Sequence, residues 1–183
     1  MDVKRVNVSD KTFKLLYTAD EIRARVERVA AEISRDMEGK HPLFVCMLNG
    51  AFIFAADVLR HFAASCEVRF VRMSSYRGTA SSGDVTRLMG IDTDVKGRNV
   101  VILEDIVETG ATMRAFAGDL EKLGTQSVSI AALVTKPQKI QGKIDVKYVG
   151  FEMESTDFIV GYGLDYNQEG RNLADIYILD EQQ

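Results

Sequence analysis

The chain has 183 residues, 46% of them hydrophobic and 27% charged, with a formal net charge of −4 and an isoelectric point near 5.3. That length suits one compact domain with a sizeable core, and residues 1–183 are read as a single unit. The mildly acidic balance and the lack of a basic run argue against a nucleic-acid surface, while the longest apolar stretch, Ala51 to Leu59, is interrupted by Asp57 and too short to span a bilayer.

At the N-terminus Asp2, Lys4, Arg5 and Asp10 leave no apolar core for a signal peptide, so a cytoplasmic location is expected. Asp20 can cap a helix whose apolar face is Ile22, Val26, Val29, Ala30, Ile33 and Met37, a good 3.6-residue spacing. A strand-like run follows at 43–48, a helical pattern at 51–62 and a strand at 67–73. Cys46 lies inside one apolar run and Cys66 begins another, as small core hydrophobes with reduced thiols. His41 and His61 have no companion cysteines, which leaves no case for zinc. The run from Arg77 to Gly83 lacks apolar anchors and reads as a surface segment. Strands are expected again at 99–104, 127–134, 146–151 and 158–162, with a helix at 111–123 closed by Gly124. Such alternation indicates an α/β architecture with ligands gathered at the carboxyl ends of the strands.

One stretch carries the strongest chemical signal. Val100 to Leu103 are four successive aliphatics, suited to a buried parallel strand, and Glu104 and Asp105 sit at its carboxyl end. Small residues follow, Thr109, Gly110, Ala111 and Thr112, before the helical apolar pattern Met113, Phe116, Ala117, Leu120 and Leu123. A strand, a short loop and a helix start can aim several backbone N–H groups at one phosphate, helped by the helix dipole. The two carboxylates could hold vicinal sugar hydroxyls. Taken alone, an acidic pair before such a turn is as readily an ordinary acidic cap.

The complete string from Val100 to Met113 resembles the phosphoribosyl-pyrophosphate motif of the type I phosphoribosyltransferases. That resemblance implies a central, mostly parallel sheet flanked by helices, with a core over about 38–150 and a small hood from the N-terminal segment and about 151–183. Further matches, spread from about residue 43 to residue 171, resemble the hypoxanthine-guanine branch. Leu48-Asn49-Gly50 is similar to its first loop, in which a cis peptide, here Leu48–Asn49, exposes amides to pyrophosphate. Ser75-Tyr76 opens a run similar to its active-site lid, which would keep water from an electron-deficient sugar. By the same resemblance Lys136 reaches a purine 6-oxo group, Phe158 stacks on the base, Ile159 offers backbone groups to the purine edge, Asp165 lies near metal-bound pyrophosphate and Arg171 pairs with pyrophosphate oxygens. Glu104 and Asp105 would hold the ribose, and Glu108, Thr109, Gly110, Ala111 and Thr112 the 5-phosphate. The implied substrates are phosphoribosyl pyrophosphate and a 6-oxopurine. The implied cofactor is Mg²⁺, with Asp165, Glu104 and Asp105 as candidate ligands, and the implied assembly is a homodimer or homotetramer.

Three departures qualify the match. Glu108 stands where the family usually has an aspartate thought to handle the purine N7 proton; it keeps the carboxylate but shifts it by about one methylene, and a misplacement of that order can cost roughly a hundredfold in rate. Glu108 is expected to remain the general acid/base. Asn49 replaces a lysine found in many relatives, and Asp157 a basic residue found in some; both make the pocket less cationic, so weaker donor binding is expected. The rival readings are a xanthine-preferring sister enzyme, a non-catalytic regulator that binds phosphoribosyl pyrophosphate, and a phospho-accepting signalling domain. Thr109 to Thr112 suit phosphate cradling better than the last, and the lack of a basic face argues against the regulator.

Overall fold

The structure, a computed structural model, describes residues 3–72 and 94–180. Strands β1 (Arg5–Val8) and β2 (Lys11–Tyr17) form a hairpin, followed by α1 (Ala19–Asp36), β3 (Leu43–Leu48), α2 (Phe52–His61) and β4 (Glu67–Arg72). Next come β5 (Asn99–Val107), α3 (Ala111–Lys122), β6 (Ser127–Thr135), a short 3-10 turn (Pro137–Lys139), β7 (Tyr148–Glu152), β8 (Ile159–Val160) and β9 (Ile176–Leu179).

The continuous apolar runs have a direct structural cause. β5 lies at the centre of a five-stranded parallel sheet of order β4-β3-β5-β6-β7, covered on both faces. Val101 and Leu103 face a core shared with α1 and α2, through Val26, Ile33, Phe54 and Val58. Val100 and Ile102 face the other side, where Met113, Phe116 and Leu120 of α3 pack. A strand buried on both faces has no polar side to alternate with. A second, antiparallel sheet of order β1-β2-β9-β8 joins the two ends of the chain and forms the expected hood.

Several boundaries differ from the sequence reading. Helix α1 is capped by Thr18, not Asp20: the Glu21 N–H donates to Thr18 Oγ1 at 3.3 Å and the Thr18 N–H donates to Glu21 Oε2 at 2.8 Å. This reciprocal capping box satisfies two donors at once, which Asp20 cannot do; Asp20 instead pairs with Arg23 at 2.9 Å. Strand β5 runs on to Val107, because pairing with β6 continues through Ile106↔Val134 and Val107↔Thr135. The strand expected at 158–162 stops at Val160, where Gly161 turns the chain at φ +103°. Among the described residues no helix is long and apolar enough to cross a membrane.

Candidate active site

Parallel strands all present their carboxyl ends to one side, and β5 and β6 deliver their polar residues there. A cleft of about 570 Å³ opens at this edge, lined by Glu104, Asp105, Glu108, Thr109, Gly110 and Thr112 from the β5–α3 connection. Lys136, Phe158, Ile159 and Asp165 line it from later segments. Ten residues picked out from the sequence thus meet in one place, as those two sets show.

The β5 end carries paired acids. Asp105 Oδ1 accepts the Ile106 N–H at 2.8 Å. Glu104 is partly buried, and burial pushes its carboxyl well above the ordinary range, with the hydrogen bond and charge of Asp105 adding to the shift. Two acids this close favour holding a proton, or accepting hydroxyl donors or a cation, over carrying two bare charges. Next to them Gly50 lies so near Asp105 that a Cβ there would overlap the carboxylate. The Leu48–Asn49 peptide just before it is cis.

The small-residue loop then turns into α3. Gly110 is the helix N-cap at φ +74°, a left-handed conformation costly for residues with a Cβ. Gly110 has no side chain to cap this helix, and the Ala111 N–H donates to Thr109 Oγ1 at 3.4 Å; the next amides, on the cleft-lining residues Thr112 and Met113, are the ones an anion would satisfy.

Glu108 is held by two lysines. Lys136 Nζ donates to Glu108 Oε1 at 2.6 Å and Lys139 Nζ donates to the same oxygen at 3.3 Å. Burial raises the Glu108 carboxyl, but the hydrogen bond from Lys136 and the charges of both lysines outweigh it and leave a net shift below the ordinary range. Lys136 is only 2% exposed, and its other donors go to Asp157 O at 2.7 Å and Thr156 O at 3.4 Å. A buried ammonium requires this complete set of acceptors.

The opposite side is assembled from distant segments. Gly161, Tyr162 and Gly163 are successive left-handed residues at φ +103°, +49° and +100°. That turn places the Gly163 backbone against the Gly50 carbonyl with no room for a Cβ. Tyr162 donates its hydroxyl to Asp57 Oδ2 at 2.6 Å, tying the turn to α2. Arg171 Nη1 donates to Gly163 O at 2.8 Å, and Arg171 pairs with Asp165 Oδ1 at 2.7 Å. Phe158 is 47% exposed, with one edge against Tyr166 at a ring separation of 5.8 Å. An exposed aromatic at a cleft rim is available for stacking.

Other picks fall elsewhere. Leu48, Asn49, Gly50 and Arg171 do not line the cleft but abut it, through the contacts of Gly50 with Asp105 and of Arg171 with Asp165. Ala111 opens α3 without lining the cleft. Ser75 and Tyr76 lie outside the described residues. Asp165, Glu104 and Asp105 share the cleft, yet among the described residues no three acidic, histidine or cysteine side chains stand close enough to hold a metal by themselves. Lys139 and Thr156 were not singled out from sequence. Lys139 had a signal in its spacing, three residues beyond Lys136 across a proline; Thr156 contributes only a carbonyl and had none.

A family model described as a phosphoribosyl transferase domain matches residues 15–167. The chain is 36% identical over 170 residues to a hypoxanthine-guanine phosphoribosyltransferase of Streptococcus thermophilus, covering 92% of this chain and 94% of that protein. It is 37% identical over 170 residues to the enzyme of the same name from Streptococcus agalactiae, again covering 92% and 94%. Among solved structures, a hypoxanthine-guanine phosphoribosyltransferase from Bacillus anthracis superposes with a TM-score of 0.83 at 28% identity, over 98% of this chain and all of the other.

Proposed function

Because the chain belongs to the phosphoribosyltransferase family, we propose that it transfers the 5-phosphoribosyl group of phosphoribosyl pyrophosphate to hypoxanthine and guanine, giving the nucleotide and pyrophosphate in purine salvage. The observation that carries this reading is the pairing of Glu108 with Lys136 inside a cleft that also holds the start of α3 and the acids Glu104 and Asp105. An ionised carboxylate beside an ammonium offers an acceptor and a donor side by side. A 6-oxopurine presents N7–H and a carbonyl oxygen in the matching order, whereas adenine presents a donor amino group to Lys136.

In the reaction the anomeric carbon loses its bond to pyrophosphate and gains one to a purine nitrogen. The N7 proton passes to Glu108, which the lysines keep ionised at neutral pH. Lys136 gives one donor to the 6-oxo oxygen, Phe158 stacks on the base and Ile159 offers its backbone to the purine edge. Glu104 and Asp105 hold the ribose hydroxyls, Thr109 to Thr112 receive the 5-phosphate, and Leu48 to Gly50 with Arg171 face the pyrophosphate. The developing positive charge on the sugar and the polyanionic leaving group make electrostatic stabilisation the main contribution of the protein.

The donor set suits Mg²⁺, which takes hard oxygens, keeps waters and is commonly bound by one or two carboxylates plus substrate phosphates rather than by an all-protein cage. Asp165, Glu104 and Asp105 are the candidate carboxylates. When bound, the ion would neutralise pyrophosphate charge. This reading takes residues 1–183 as one domain, acting as a homodimer or homotetramer in the cytoplasm; the free thiols of Cys46 and Cys66 support that compartment.

The test is nucleotide formation from phosphoribosyl pyrophosphate with hypoxanthine, guanine, xanthine and adenine in parallel, each with Mg²⁺ and with the metal chelated. Metal-dependent product from hypoxanthine and guanine but not adenine is the expected outcome. Turnover of xanthine above the others would shift the substrate assignment, and donor binding without turnover would end the catalytic reading.

A further inference from the structure

The segment after β6 grips Glu108 from its main chain as well as its side chains. The Lys136 N–H donates to Val107 O at 3.0 Å and the Gln141 N–H donates to Thr109 O at 3.0 Å, so the residues on either side of Glu108 are both pinned by this one segment. Between those two bonds lies the 3-10 turn, closed by the Lys139 N–H donating to Lys136 O at 2.9 Å and the Ile140 N–H donating to Pro137 O at 3.3 Å. Pro137 at the start of the turn favours this tight reversal. The turn brings Lys139 Nζ back onto the carboxylate oxygen that Lys136 already holds.

We propose that Lys139 is a positioning residue for Glu108, holding its carboxylate in place and ionised once Lys136 turns a donor to the purine. The proposal rests on the function put forward above. Lys136 has three protons and spends them on Glu108, Asp157 O and Thr156 O. Of these acceptors, the two carbonyls are fixed in the backbone, whereas the Glu108 carboxylate sits on two rotatable methylenes. A substrate carbonyl oxygen therefore displaces Glu108 most readily, at the stage when that carboxylate must face the base. The other titratable side chains lining the cleft, Glu104, Asp105 and Asp165, are acids, so none of them supplies a counter-charge to Glu108. Lys139 supplies the counter-charge that would otherwise be missing, from a turn whose backbone is anchored at both ends. The longer Glu108 side chain, where relatives carry aspartate, gains a second tether in the same way.

The test compares the wild type with Lys139→Met and Lys139→Arg, measuring kcat and both KM values across pH. A second readout is the ¹³C titration of the Glu108 side-chain carboxyl without substrate, assigned with Glu108→Gln. In Lys139→Met, kcat is expected to fall roughly tenfold, part of the 10²–10⁴ that a positioned acid or base supplies, with KM for phosphoribosyl pyrophosphate unchanged. Losing the cation stabilises the protonated acid, so the acid limb of the rate profile and the Glu108 titration both move to higher pH; Lys139→Arg restores both. An unchanged kcat and acid limb in Lys139→Met would overturn the proposal, as would a raised KM for the donor at unchanged kcat, which would place Lys139 on the phosphates. If the wild type turned over no purine, the function above would fail by itself, and an unmoved Glu108 titration in Lys139→Met would then overturn the tether independently.

Discussion

Along one rim of the cleft, Glu104 to Met113 follow one another in the chain, carried by a single strand, loop and helix. Along the other, Thr156 to Asp165, backed by Leu48 to Gly50 and Arg171, come from distant segments and meet only through tertiary contacts. The contiguous rim owes its geometry to backbone that the central sheet already fixes. The assembled rim depends on a few close approaches and polar anchors, several of them remote from any reacting atom. The lesson is that the second rim should fail at residues with no chemical role.

Two glycines put this difference to the test with the largest expected effect. Gly110 and Gly163 are both left-handed, at φ +74° and +100°, so alanine is strained at either. At Gly110 the nearest obstacle to a Cβ is the Ile144 side chain, 3.0 Å away, which can shift. At Gly163 it is the Gly50 carbonyl, part of a backbone that cannot move without moving the first loop. Gly163→Ala is expected to lose about 1–3 kcal/mol of stability and, by displacing the loop by the order of an ångström, roughly a hundredfold in kcat/KM. Gly110→Ala should lose less of both. Denaturant melts and steady-state kinetics on the pair decide it; equal losses would erase the distinction between the rims.

The contiguous rim was largely legible in the sequence for the same reason that it is robust. An aliphatic run, two acids and a small-residue turn are neighbours in the chain, so their order is itself the geometry. The purine side was legible only as a resemblance, since nothing local to Gly163 or Tyr162 announces a contact with Gly50 or Asp57. Lys139 was overlooked because a lysine after a turn is ordinarily a solvated charge; its meaning comes from the 3-10 turn that folds it back. Strands β1 and β2 escaped notice because they are mixed in polarity, and β9, though apolar, because it has only four residues and pairs with the opposite end of the chain. Asp20 is the stronger cap on residue type, and what decides for Thr18 is its reciprocal bonding with Glu21, three residues on.

A smaller effect is expected at Asp175, which braces the assembled rim from behind. Its carbonyl lies against Gly161 with no space for a Cβ, while its carboxylate accepts from Lys4 Nζ at 2.6 Å, the Ala19 N–H at 2.7 Å and the Tyr177 hydroxyl at 3.0 Å. These hydrogen bonds, the one from Lys4 foremost, hold the carboxyl below its ordinary range. A group with a depressed folded value stabilises the fold above its unfolded pKa and stops doing so as pH falls through the folded one. Asp175→Asn should therefore cost about 1–2 kcal/mol at neutral pH, little of it from Lys4, which is 59% exposed and screened by solvent. The gap between wild type and variant should close in acid, below about pH 4. Melting both proteins from pH 7 to pH 3 tests this; a gap that stays constant would mean that the carboxylate charge is not what holds the hood to the core.

The smallest effect separates charge from backbone at the first loop. Asn49 is exposed and carries no charge, yet it follows the cis peptide and precedes the glycine that lies against Asp105 and Gly163. If the loop meets pyrophosphate mainly through its amides, a lysine at this position adds only a solvent-screened attraction, at most about 1 kcal/mol, or roughly fivefold in donor affinity. Asn49→Lys should thus tighten phosphoribosyl pyrophosphate binding by that amount at low ionic strength and lose the gain as salt rises, since screening shortens the reach of an exposed charge. kcat should not change, because the lysine would touch the leaving group's charge in ground and transition states alike. A gain that survives high salt would mean that the lysine is drawn into the cleft and desolvated there, and the assembled rim would then depend on side-chain charge as much as on the close packing of its glycines.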